Sequence, residues 1–183
     1  MTDKQGLSLV VYYSNSGHTR AVAEKIADGL CADIQEIRLS RPKGLPVFFM
    51  LRAVWGIIRR ASWPVLNEPA PLNGYRLLVV GSPIWGGRMA PPVRGWLKGN
   101  RLPRDARLAA FFTVSGVTPP HAFEEVERIA GRELSATLSV NDKDRKADRV
   151  DGEVQAFVAK LGAGDPDRLS ADTATGAERR SFE

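Results

Sequence analysis

Leu7-Ser8-Leu9-Val10-Val11-Tyr12-Tyr13-Ser14-Asn15-Ser16-Gly17-His18-Thr19 is the stretch that decides how this chain is read. Leu7 to Tyr13 is rich in β-branched and aromatic residues, the composition of a strand. A Ser/Asn/Gly turn follows, and beyond it Val22, Ala23, Ile26, Ala27 and Leu30 recur at helical spacing. A polar loop between a strand and a helix presents the unpaired N–H groups of the helix start to an anion. Ser14, Ser16 and Thr19 add hydroxyls, Asn15 an amide, and Gly17 backbone freedom, with His18 between them. The loop carries neither GxxxxGK[ST], as a triphosphate loop would, nor the dinucleotide fingerprint GxGxxG. Taken alone it suits a phosphate cradle or a Ser/Thr-rich helix cap.

The same alternation continues along the chain. Strands are expected at Ile34–Leu39, Tyr75–Gly81, Ala106–Val114 and Leu134–Val140. Helices are expected at Pro46–Arg60, Pro91–Lys98, Pro120–Ala130 (closed by Gly131) and Val150–Leu161. Strands apolar on both faces and separated by helices imply a parallel sheet covered on both sides, hence an α/β fold. Five such units in 183 residues suit a doubly wound sheet of order 2-1-3-4-5 rather than an eight-stranded barrel. One domain over residues 1–162 is expected, followed by a tail, 163–183, whose Ala, Gly, Asp, Ser and Thr predict disorder.

The chain has one cysteine, Cys31, and no basic-then-apolar leader, which points to a cytoplasmic protein without disulfides. Cys31 is read as a packed thiol, and no metal site is expected. The longest apolar run, Pro46 to Ile58, is broken by Arg52 and falls short of the roughly 20 residues of a spanning helix. The net charge of +5 is local: Arg38, Arg41, Lys43, Arg52, Arg59 and Arg60 lie in one stretch without an acid. No nucleic-acid reading motif accompanies this charge, so nucleic acid is not an expected partner.

In its loops the chain resembles the flavodoxin family. Ser14-Asn15-Ser16-Gly17-His18-Thr19 fits the family's phosphate loop, [ST]-x-[ST]-G-x-T after the first strand. Gly81-Ser82-Pro83-Ile84-Trp85-Gly86-Gly87 is similar to its first flavin loop, and Thr113-Val114-Ser115-Gly116-Val117-Thr118 stands in the place of the second. The resemblance covers about residues 7–162 and implies FMN as cofactor. It places the phosphate on residues 14–19 and the ring against Pro83, Ile84, Trp85, Gly86, Gly87, Ser115 and Gly116, with Gly86 as the peptide facing flavin N5. An indole such as Trp85 suits offset stacking on the ring, and glycine suits a peptide that must turn.

The chain also departs from the family. Gly87-Arg88 stands where an acid is usual, and Ser115 to Pro120 contains no aromatic residue, His121 being the nearest ring. A less crowded, less acidic flavin would admit a small acceptor such as a quinone and be easier to reduce. The expected activity is an FMN-dependent oxidoreductase taking electrons from a reduced nicotinamide or a partner reductase and passing them to a quinone-like acceptor or a partner protein. A non-enzymatic electron carrier and a flavin-free binding module are the alternatives. His121 is read as a solvated first-turn residue without a catalytic role. The apolar excess of Pro46–Arg60 is read as deeply packed, or as covering a homodimer partner, the flavin entrance or, peripherally, a membrane.

Overall fold

In the computed structural model, residues 7–39, 71–141 and 149–163 are described. They form β1 (Leu7–Tyr12), α1 (His18–Leu30), β2 (Asp33–Glu36), β3 (Tyr75–Trp85), β4 (Arg88–Met89), α2 (Pro91–Gly99), β5 (Arg107–Val114), α3 (His121–Ala130), β6 (Ala136–Asn141) and α4 (Arg149–Gly162). The long strands lie parallel in the order β2-β1-β3-β5-β6. Counted without β4, this is the expected 2-1-3-4-5.

Both sheet faces are buried, as the apolar strands required. Leu9, Val11, Leu78, Val80, Leu108, Ala110 and Phe112 pack with Val93, Trp96 and Val126 of α2 and α3. Their neighbours Val10, Tyr12, Leu77, Val79, Ala109 and Phe111 pack on the other face with Val22, Ile26, Val154 and Phe157 of α1 and α4. Successive residues of a strand point to opposite faces, so each central strand serves both cores.

Several boundaries differ from expectation. The second strand is Asp33–Glu36 rather than Ile34–Leu39; it is at the edge of the sheet among the described residues, and Ile34 is exposed. The third strand does not stop at Gly81 but runs to Trp85, where it pairs antiparallel with β4, Ile84 opposite Met89 and Trp85 opposite Arg88. The segment expected to be the first flavin loop is thus a β-hairpin. Its tip, Gly86-Gly87, has positive φ at both residues (54° and 74°), as a type I′ turn demands. Cys31 is exposed rather than packed, because it caps α1 in the left-handed conformation and leaves the helix's buried stripe. The expected helix Pro46–Arg60, with the roles attached to it, and residues 164–183 lie outside the described residues. Among the described residues no helix is long and apolar enough to cross a membrane.

Sequence reasoning gave no role to a buried ion pair that joins α2 to α3. Arg94 Nε and Nη2 donate to Glu125 Oε1 and Oε2 at 3.0 and 3.2 Å, and Nη2 also donates to the Met89 carbonyl of β4. Removing one partner strands the other charge, so Glu125→Leu is expected to destabilise the fold by about 3–5 kcal/mol in urea unfolding, with the joint Arg94→Met/Glu125→Leu variant recovering much of the loss.

Gly81 is held by a close approach. A Cβ there would lie 2.2 Å from Phe111 Cζ, and Phe111 is fully buried. Gly81→Ala must therefore displace a core ring, and its urea midpoint is expected to fall by the equivalent of about 3 kcal/mol.

Candidate functional site

In parallel sheets, sites form at the carboxyl edge, and the sequence-predicted loops meet there. Tyr13 N donates to Gly81 O at 3.1 Å, keeping β1 and β3 in step to the last residue before the first loop. The chain then turns through Ser14 to Gly17 into α1.

This loop is not a side-chain cap. The N-cap of α1 is Gly17, at φ 87°, and no side chain caps the helix start. Ser14 Oγ instead accepts from Gly17 N at 3.1 Å, which closes the loop on itself. A Cβ at Gly17 would meet nothing within 4 Å, so open space lies beside the helix start. Asn15 and Ser16 are exposed and His18 half-buried. The arrangement fits a phosphate: a glycine-led helix start, main-chain donors and adjacent hydroxyls.

Thr19 has a different part from the one expected of its side chain. It is 2% exposed, and its hydroxyl pairs with Thr113 Oγ1 at 2.8 Å, tying the first turn of α1 to the end of β5. Two hydroxyls sharing one hydrogen bond keep one proton for a further acceptor.

The hairpin supplies the second wall. Pro83 pairs with Thr113 of β5, and Ser82 Oγ accepts from Ala90 N at 3.0 Å, fastening the hairpin's base. Trp85 is half-buried and meets Tyr13 edge to face, centroids 5.7 Å apart and planes at 86°. Ser115 and Gly116 are exposed in the loop after β5, which is braced from β6 by Asn141 Nδ2 donating to Gly116 O at 2.7 Å. Val117, which carried no expected role, is 88% exposed in this loop. His121 is exposed at the first turn of α3, as expected, but its Nε2 lies 2.9 Å from Gly87 O.

The Arg20 guanidinium, in the first turn of α1, is paired within the fold. Arg20 Nη2 donates to both Glu36 oxygens at 2.7 and 2.8 Å, and this pairing, with the Tyr12 phenol, pushes the Arg20 pKa up. The helix start itself offers an anion the positive end of its main-chain dipole. Burial, partly countered by Arg20, raises the Tyr12 phenol above its ordinary 10.0.

Together the sheet and the three converging loops define a flavodoxin-like α/β protein. The structure of an FMN-bound flavoprotein from Lactobacillus acidophilus NCFM superposes with a TM-score of 0.61 at 24% identity, covering 77% of this chain and 97% of that one. Oxidised flavodoxin 2 from Bacillus cereus superposes with a TM-score of 0.55 at 18% identity, covering 86% and 99%. In sequence the chain is 29% identical over 114 residues to a NAD(P)H dehydrogenase (quinone) of Gluconacetobacter diazotrophicus, a match over 57% of this chain and 54% of that protein. The chain thus matches about half the length of that curated relative. No family model matches.

Two outcomes follow from this geometry. Gly17→Ala forces a methyl-bearing residue into positive φ without any clash, so unfolding experiments should show a loss of about 1–2 kcal/mol. A phenol with a raised folded-state pKa binds its proton more tightly in the native protein. The stability from Tyr12 is therefore present below the unfolded-state pKa and lost as pH rises through the folded one. Tyr12→Phe should flatten the alkaline end of the stability-against-pH curve above about pH 10.

Proposed function

We propose that the chain binds FMN at this edge and acts as an oxidoreductase, passing electrons from a reduced nicotinamide or a partner reductase to a quinone-like acceptor or a partner protein. The observation that carries the cofactor is the glycine-led start of α1, with no side-chain cap, beside Ser14 and Ser16. Residues 14–19 would hold the phosphate, chiefly through main-chain N–H groups. Pro83, Ile84, Trp85, Gly86 and Gly87 would line one side of the ring, and Ser115, Gly116 and Val117 the other.

When bound, the flavin supplies the hydride and electron chemistry, and the protein binds, orients and tunes it. Trp85, propped by Tyr13, offers an indole surface for the ring. Gly86, at positive φ on the hairpin tip, is free to turn its carbonyl. With no aromatic residue from Ser115 to Pro120, the second side would leave room for a flat acceptor. The relative named for NAD(P)H and quinone supports this choice of donor and acceptor. The likeness to a flavodoxin favours a second reading, a carrier that serves protein partners only.

Titrating the flavin-free protein with FMN should quench flavin fluorescence to a stoichiometric endpoint; a protein that stays colourless in excess FMN overturns both redox readings. NADPH and a quinone added under air to the loaded protein should then give steady loss of nicotinamide absorbance. Negligible turnover would leave the carrier.

A further inference from the structure

The contact between His121 and the hairpin tip has no place in the reading above. A carbonyl oxygen can only accept, so the 2.9 Å contact requires His121 Nε2 to carry a proton and donate it to Gly87 O. The bond ties the hairpin after β3 to the start of α3, the helix that follows the loop after β5. It crosses 34 positions in sequence and is joined by Pro119, whose Cγ lies 3.7 Å from where a Gly87 Cβ would be.

The turn itself makes the contact consequential. Trp85-Gly86-Gly87-Arg88 is a two-residue hairpin with positive φ at both glycines, the type I′ form. Rotating the peptide between Gly86 and Gly87 converts this form into type II′, which keeps positive φ at the first central residue and reverses it at the second. Both forms match the twist of the flanking strands, and glycine at both positions tolerates both. The Gly86 carbonyl swings in that change, while the Gly87 carbonyl lies outside the rotating peptide. A donor fixed on Gly87 O therefore pins the far end of the turn and confines motion to one peptide.

We propose that His121 is a positioning residue for the flavin: by holding the Gly87 carbonyl it orders the hairpin tip and limits the protein's response to flavin reduction to the Gly86 peptide. This rests on the FMN reading. The groups around His121 fit such a role, since Arg88, Glu124, Glu125 and Arg128 line the hollow beside it. The first is on β4 and the others share its helix, so the imidazole is framed from both sides.

The test compares wild type, His121→Ala and His121→Gln, the last placing an amide N–H donor at similar reach. His121 is exposed, so thermal unfolding should be nearly unchanged in both variants. In the flavin-free protein, His121→Ala should speed amide exchange at Gly86, Gly87 and Arg88. In the loaded protein it should weaken FMN binding about 2- to 10-fold, the range of one lost hydrogen bond, and move the midpoint potential. His121→Gln should restore most of both effects. Unchanged exchange and potential in His121→Ala, or a Gln variant that behaves like Ala, overturns the proposal. Failure of the wild type to take up FMN instead overturns the cofactor reading, and the exchange arm still decides the clamp.

Discussion

The absence of a side chain at Gly81 is the constraint on which the rest of the structure depends. At this residue β1, β3 and β5 are in register, Tyr12 beside Gly81 and Gly81 beside Phe111. The Phe111 ring occupies the volume a Cβ would need, so the central strands can carry a large aromatic core without bowing apart. Immediately beyond that row the chain leaves the sheet from β1, and β3 continues into its hairpin. The binding edge is therefore as sharply placed as the packing beneath it.

Polar contacts then fasten the loops to this frame. The Thr19–Thr113 bond is buried and anchors the helix start over β5. The Arg94–Glu125 pair does the same for the opposite layer, and its bond to the Met89 carbonyl holds the return strand of the hairpin. A buried ion pair is a poor source of net stability, because desolvation consumes most of the attraction. Its effect here is directional: the guanidinium has fixed donors, so α2, α3 and β4 take one mutual arrangement. The base of the hairpin is thereby fastened from α2 and α3.

Much of this was legible in the chain because it was carried by local, periodic signals. The strand Leu7–Tyr12, the stripe Val22–Leu30 and the capping glycine Gly131 read directly as elements. The loop from Ser14 to Thr19 read as a phosphate cradle or a helix cap, because its residue types and its place before a helix are both sequence facts. The boundaries that shifted were those set by pairing across the sheet. Nothing local in Gly81–Trp85 says that the strand continues; its partner Arg88–Met89 is what extends it. The Gly86-Gly87 pair was a hairpin signal, but with only two residues of return strand it had little pattern to support it. Arg94 stood out as a charge inside an apolar helix, and Glu125 beside Ala122 and Val126 on a buried face. Either could have been marked as buried, but not as partners.

The sequence by itself determined the alternation of the long strands with the described helices, the two-sided burial of the sheet and the residue types of the first loop. Each depends on residues within one turn or one strand of one another. Tertiary structure alone decided that the Thr19 hydroxyl turns inward to Thr113, that Val117 stands in solvent where an aromatic ring was sought, and that His121 holds Gly87. These are contacts between residues far apart in the chain, and their geometry exists only after the sheet has set the distance between its strand ends. For the same reason the Ser14–Thr19 loop has the residue types and the helix start that suit an anion, while its setting between the other two loops is a product of the sheet.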